Sequence, residues 1–244
     1  MGKDLYDNIN ECKYIFDKGD EILQMPMKEM IFYGREEDLK RTRYSQIAIL
    51  LTSLACAKAI ELRGISPKYT VGLSLGEYGA LIESGAINFE DGVKLIKKRA
   101  EIMDSEISPE KGTMAAILKL NSQKVEELIK RSNEFGLVEG ANYNCPGQTV
   151  ISGEVNAINE SVKIAKELGG RAGILNVSGP FHSSMYEKAS YDFFEELKDI
   201  KINDFEKIAY SNVKGAPYEK NDDVRELLRK QIMSPVSVSY THLR

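Results

Sequence analysis

Cysteine and histidine are scarce in this chain, and their scarcity removes whole classes of chemistry. Cys12, Cys56 and Cys145 are an odd number, widely spaced, with no C-x-x-C pair. A disulfide framework is therefore not expected, and reduced structural thiols in a cytoplasmic protein are. The only two histidines, His182 and His242, stand at no metal-ligand spacing, so neither a metal nor another cofactor is expected. Charge of one sign is lacking too: 33 Lys and Arg against 37 Asp and Glu leave a net charge of −4. Without a broad basic surface, no nucleic acid partner is expected. No run approaches about 18 uninterrupted apolar residues, and the N-terminus has no apolar h-region, so no membrane partner is expected either. Tyr6 stands where a myristoylation signal would carry Ser or Thr.

What remains is an ordinary globular composition, 42% hydrophobic and 29% charged over 244 residues. That length buries one substantial core together with a smaller inserted module. Leu5, Ile9, Cys12 and Phe16 recur at helical spacing, and residues 45–62 form a helix so apolar all round that a central position is expected. A short strand over Tyr69, Thr70 and Val71 leads to a helix reaching about Ser84, which Gly85 ends. Residues 89–103 read as a further helix, with Lys94, Lys97, Lys98 and Arg99 partly off its apolar face as a solvated charged surface.

Residues 113–177 differ in kind. Their pattern alternates strand, helix, strand, strand, helix, strand, with a hairpin around Asn144-Cys145-Pro146-Gly147. That order predicts a ferredoxin-like (βαββαβ) subdomain. The fold class expected is α/β: a hydrolase-like parallel-sheet domain over 1–112 plus 183–244, with the small subdomain, 113–182, inserted. A helix near 185–197, a strand near 207–211 and a helix near 222–233 complete it.

The candidate chemistry begins at Gly72-Leu73-Ser74-Leu75-Gly76, set between the strand and the helix. A serine on such a turn has its Oγ held out into a cleft, with glycines on either side to let the backbone bend. The Leu75 N–H, at a helix N-terminus, is placed to stabilise an oxyanion. By composition the bare pattern G-x-S-x-G arises by chance roughly 0.1 times per chain, so its setting matters more than its letters. A serine nucleophile needs a base. His242 lies near the chain end, where backbones fray, which leaves His182, after the turn Gly179-Pro180. For Arg99, composition does not separate a functional group from a surface arginine.

Gly72-Leu73-Ser74-Leu75-Gly76-Glu77-Tyr78, Lys98-Arg99, Asn142-Tyr143-Asn144-Cys145-Pro146-Gly147-Gln148, Gly179-Pro180-Phe181-His182-Ser183, Ser211-Asn212-Val213 and Gln231-Ile232-Met233-Ser234-Pro235-Val236 together resemble the malonyl-CoA:acyl carrier protein transacylases. The resemblance spans about residues 3–236. It implies ping-pong transfer of a malonyl group from malonyl-CoA to the phosphopantetheine thiol of acyl carrier protein in fatty-acid biosynthesis. Ser74 would be the nucleophile and His182 the base, the latter oriented by a main-chain carbonyl within 234–237. Arg99 would hold the malonyl carboxylate, Leu75 would supply an oxyanion donor, and Phe181 would crowd a 2-methyl branch. Lys94, Lys97 and Lys98 could meet the acidic carrier.

In the family pattern a core strand and a Gly-Gln-Gly-Ser-Gln-like loop with the second oxyanion donor precede the segment matching residue 3. A further helix, strand and glycine-rich turn follow Val236. The octapeptide 237–244 does not fit that pattern, so a truncated frame with a foreign tail is expected. Two other readings stay open: a serine esterase of α/β-hydrolase type, which would need an acidic residue to orient His182, and an inactive module that binds acyl carrier protein or coenzyme A.

Overall fold

The computed structural model describes residues 1–108 and 110–238, so His242 and the last six residues of the expected tail lie outside the described residues. The chain divides into two compact units, Met1–Asp104 with Glu196–Tyr210, and Ser105–Glu195 with Ser211–Arg244.

The first unit is mainly helical around a short parallel strand pair. Its helices are α1 (Lys3–Asn8), α2 (Asn10–Leu23), α3 (Met27–Tyr33), α4 (Glu36–Leu39), α5 (Thr42–Glu61), α6 (Gly76–Glu83) and α7 (Phe89–Glu106). The sequence pattern expected a single first helix. Ile9, with extended backbone (φ −132°, ψ 112°), divides it into α1 and α2. The periodicity gave no sign of α3 and α4, which at seven and four residues are too short to establish one.

Helix α5 is expected to be central, and its buried side is: Ile47, Leu50, Leu51 and Leu54 pack inward. Ile49 and Ile60, by contrast, are 43% and 50% exposed, so the helix is apolar all round but not covered all round. Strand β1 is only Tyr69–Thr70, and it pairs in parallel with a later strand through Tyr69↔Ile208 and Thr70↔Ala209. It ends just before the nucleophile turn, which α6 continues.

The second unit carries a four-stranded antiparallel sheet. Strands β2 (Gly112–Leu118), β3 (Val138–Cys145), β4 (Gln148–Glu154) and β5 (Arg171–Ile174) lie in the order β3-β4-β2-β5. Helix α8 (Ser122–Ser132) runs between β2 and β3, and α9 (Val155–Glu167) between β4 and β5. The alternation in the sequence predicts each of these six elements to within a few residues. Ala115, Ile117, Val138 and Ile151 from the sheet pack with Val125, Leu128, Ile158 and Ala165 from the helices, as period 2 on strands and 3.6 on helices require. Asn121 caps α8 by accepting a hydrogen bond from the Lys124 N–H at 3.0 Å.

Beyond β5 come α10 (Glu187–Lys198), β6 (Ile208–Ser211), the partner of β1, and α11 (Val224–Met233). The chain is thus α/β with both parallel and antiparallel pairing. No helix among the described residues is long and apolar enough to cross a membrane.

Candidate functional site

The nucleophile turn is built by sterics before chemistry enters. Ser74 has φ 54°, a left-handed conformation that costs a non-glycine residue about 1–3 kcal/mol. The turn closes through hydrogen bonds from Gly76 N–H to Leu73 O (2.9 Å), Glu77 N–H to Ser74 O (3.1 Å) and Tyr78 N–H to Leu75 O (3.1 Å). The sequence pattern expected both flanking glycines to be needed. Only Gly72 meets a steric limit: a Cβ there would sit 2.0 Å from the carbonyl carbon of Gly76, whereas one at Gly76 would meet nothing within 4 Å. Leu75 is the N-cap of α6, so its N–H lies at the positive end of that helix.

Arg99 is the group that sequence composition left ambiguous. It is 1% exposed, among the largest fully buried side chains of the chain. It belongs to the buried stripe of α7 with Gly92, Leu95, Ile96, Ala100 and Met103, a spacing of three and four that a helix repeats on one face. The neighbouring lysines point elsewhere: Lys94 pairs with Glu90 and Lys98 with Glu196, while the Lys97 Nζ donates to Leu23 O at 3.1 Å. That cluster therefore splits into one interior arginine, one half-buried lysine, Lys97, and two exposed lysines in ion pairs.

The Arg99 guanidinium donates from Nη2 to Ser74 Oγ at 3.0 Å and from Nη1 to the Gln46 amide oxygen. It also lies over the Tyr78 ring, 5.3 Å from its centroid. Burial pushes the Tyr78 phenol well above its ordinary range, so that ring presents a neutral face to the cation. The hydrogen bond sets a fixed cation beside the hydroxyl, with a planar donor edge of the kind that binds carboxylates. Nothing in the sequence pattern singles out Gln46 for chemistry. The available signal was a lone carboxamide in an otherwise apolar helical stretch.

His182 belongs to the second unit and also has a left-handed backbone, φ 60°. It is 4% exposed. Its Nδ1 lies 3.0 Å from Gln231 O and 3.1 Å from Ser234 O. Both partners are carbonyls and can only accept, so Nδ1 carries the proton and Nε2 the lone pair in the neutral ring. The resemblance expected one carbonyl from 234–237. Ser234 meets that expectation, and Gln231 is an addition from the last turn of α11.

The Gln231 carbonyl is available for a physical reason. In a continuing helix it would accept from the N–H of residue 235, but Pro235 has none. The residue before a proline also turns toward extended backbone, and Ser234 does so at φ −103°, ψ 155°. Val236 then runs beside β3, donating to Ala141 O (2.8 Å) and accepting from Tyr143 N–H (3.0 Å), which pins the segment. The negative end of the α11 dipole thus faces the imidazole, where it favours the cation that proton transfer creates.

Phe181 packs with Leu175 and Val177 against Met114, Ala141 and Val150, and its ring lies 5.6 Å from that of Tyr186. The Pro180 ring closes on Gly112, where a Cβ would sit 2.4 Å from the proline Cγ. No cluster of three or more His, Cys, Asp or Glu among the described residues could hold a metal ion.

The first unit thus holds a serine hydroxyl on a left-handed elbow at a helix start, and the second an imidazole with its Nε2 lone pair fixed by main-chain carbonyls, two features of the kind that acyl-transferring serine enzymes use. The chain belongs to the acyl transferase domain family, whose model matches residues 1–243. It is 39% identical over 238 residues to the malonyl CoA-acyl carrier protein transacylase of Bacillus subtilis, an alignment covering 97% of this chain and 75% of that one. The crystal structure of the malonyl CoA-acyl carrier protein transacylase from Clostridium perfringens superposes with a TM-score of 0.96 at 45% identity, covering 99% of this chain and 76% of the other. A malonyl-transacylase solved in complex with a type II PKS acyl-carrier protein gives a TM-score of 0.94 at 28% identity, covering 99% and 79%.

Proposed function

We propose that this chain transfers a malonyl group from malonyl-CoA to the phosphopantetheine thiol of acyl carrier protein, through a malonyl-serine intermediate, in fatty-acid biosynthesis. The observation that carries the reading is the hydrogen bond from the buried Arg99 Nη2 to Ser74 Oγ. It sets a carboxylate-binding cation beside the atom that would carry the acyl group. The names of the relatives support the same chemistry.

In this mechanism Ser74 Oγ attacks the thioester carbonyl as its proton passes to His182 Nε2. The Leu75 N–H, at the start of α6, donates to the oxyanion of the tetrahedral intermediate. Collapse expels the coenzyme A thiolate, which the imidazolium protonates. In the second half the carrier thiol gives its proton to His182 and attacks the malonyl ester, and Ser74 leaves with the proton returned. Arg99 holds the free carboxylate through both halves, and the Phe181 ring narrows the space beside the acyl C2. An esterase would use an acidic residue to orient His182, but its Nδ1 is held by the carbonyls of Gln231 and Ser234.

The order of elements supports an insertion as well. Residues 113–182 read as a ferredoxin-like subdomain, because β2-α8-β3-β4-α9-β5 folds into a sheet of order β5-β2-β4-β3. By the order of elements, residues 1–112 plus 183–244 read as the hydrolase-like domain, whereas the compact units group 183–195 and 211–244 with the small sheet. The unpaired thiols of Cys12, Cys56 and Cys145 fit a reducing, cytoplasmic setting.

The test is incubation with malonyl-CoA, mass spectrometry of the Ser74 peptide, and then addition of holo acyl carrier protein. The expected result is a malonyl adduct on Ser74 that the carrier removes and that Ser74→Ala abolishes. Arg99→Ala should lower malonyl labelling roughly 10- to 100-fold while sparing acetyl labelling. An enzyme that hydrolyses both thioesters and ignores the Arg99 change would be an esterase. A chain that binds malonyl-CoA without any adduct would be a binding module.

A further inference from the structure

We infer that Gln46 is a positioning residue that sets the direction of the Arg99 guanidinium and thereby the preference for a carboxylate-bearing acyl group; this rests on the reading of Ser74 and Arg99 proposed above. Gln46 is 6% exposed, on the buried side of α5 with Ile47 and Leu50. A carboxamide buried there is unfavourable unless both of its ends find partners. Both do: Oε1 accepts from Arg99 Nη1, and Nε2 lies 3.8 Å from Met103 Sδ.

Those partners also fix the amide's orientation. Turned over, the NH₂ group would face the guanidinium donor to donor, and the oxygen would face a sulfur that has no proton to give. Arg99 and Met103 stand four residues apart on α7, so the single amide grips one face of that helix across a full turn.

The consequence falls on the other end of the guanidinium. An arginine side chain has many rotamers, and burial alone does not choose among them. With Nη1 held by Gln46 and the plane lying over Tyr78, Nη2 is the edge delivered to Ser74 Oγ. Gln46 does not need to touch the acyl group, because it acts through Arg99. It also holds the cation without bringing a charge of its own. A glutamate at this position would keep the acceptor but add a carboxylate that competes with the ligand's carboxylate for the same guanidinium.

The experiment compares the full chain with Gln46→Glu and Gln46→Met in labelling of Ser74 over a range of malonyl-CoA and acetyl-CoA concentrations, read by intact mass. Labelling by malonyl-CoA should require roughly 10- to 100-fold higher concentration in both variants, while acetyl-CoA labelling stays within about threefold. A purely structural role would lower both thioesters together, and that result, or an unchanged ratio, overturns the inference. Should either variant not fold, Gln46→Asn, which withdraws the acceptor by one methylene, replaces it in the same assay.

Failure of the wild-type chain to label with malonyl-CoA would refute the acyl-transfer reading instead. Malonate binding followed by ligand-observed NMR then decides the role of Gln46. Binding at least about tenfold weaker in Gln46→Glu than in wild type supports it, and equal binding, or none to either, overturns it.

Discussion

Ser74 and His182 share a backbone conformation that few non-glycine residues adopt, φ 54° and 60°, yet the two regions hold them by different means. Around Ser74 three main-chain hydrogen bonds close the turn, but the added restraint depends on residue type: only a glycine at 72 admits the backbone of Gly76, and Arg99, fixed by Gln46, grips the hydroxyl. Around His182 the restraint is main chain, with two carbonyls at the end of α11 and a proline that frees one of them. Side-chain restraint is specific to one residue type at each position. Main-chain restraint tolerates many residue types but depends on where the helix stops.

The largest effect should come from the steric side. Gly72→Ala would drive a methyl group into the Gly76 carbonyl, so the elbow has to open. Expected are a loss of about 2–4 kcal/mol in denaturant unfolding and at least about a 100-fold loss of Ser74 acylation. Gly76→Ala, with open space around its Cβ, should change stability by no more than about 1 kcal/mol and leave acylation nearly intact. Equal behaviour of the two variants would show that the elbow is not held by close approach.

A smaller effect is expected on the main-chain side. Pro235→Ala supplies an N–H that can compete for the Gln231 carbonyl, while the Val236 bonds to β3 hold Ser234 extended, leaving His182 with the Ser234 carbonyl alone. The loss of one such bond is worth about 0.5–1.5 kcal/mol, hence roughly a two- to tenfold fall in the rate of Ser74 acylation at saturating malonyl-CoA. Substitution of the Gln231 side chain keeps the carbonyl and should do less. If Gln231→Ala proves the more damaging change, His182 is held by side chains after all and the contrast between the regions disappears.

The same contrast explains how much of the site could be read from the sequence. The elbow was legible because glycine, serine and glycine fall at fixed offsets between a strand and a helix. The βαββαβ order was legible because its periods alternate cleanly between 2 and 3.6. Strand β1 was placed by its neighbours, since two residues have no period of their own. Arg99 was hidden among lysines by composition, although its spacing from Leu95, Ile96 and Met103 marks it as inward-facing. Gln46 was hidden because a lone amide in an apolar helix matches no motif, and its meaning lies in a partner 53 residues away. The Gln231 carbonyl carries no side-chain signature at all, and only the proline four residues later pointed to it.

The smallest effect concerns the scaffold of the nucleophile region, where side-chain restraint recurs. The Asp20 carboxylate of α2 accepts from the Lys28 N–H at 2.8 Å, satisfying a free donor in the first turn of α3. Burial raises the Asp20 pKa above the ordinary 3.8, with the amide hydrogen bond opposing it. The folded chain therefore keeps that proton to higher pH than the unfolded chain does, and folding loses stability as pH rises from the ordinary value through the raised one. Asp20→Asn keeps an oxygen acceptor and cannot ionise. Its stability should exceed wild type at neutral pH by no more than about 1 kcal/mol, with the advantage vanishing below the ordinary carboxylate range. Urea unfolding of both proteins across acidic to neutral pH measures this. A variant weaker than wild type at neutral pH would mean that the negative charge itself, interacting with the start of α3, outweighs its desolvation, so that the scaffold is held by electrostatics rather than by the acceptor alone.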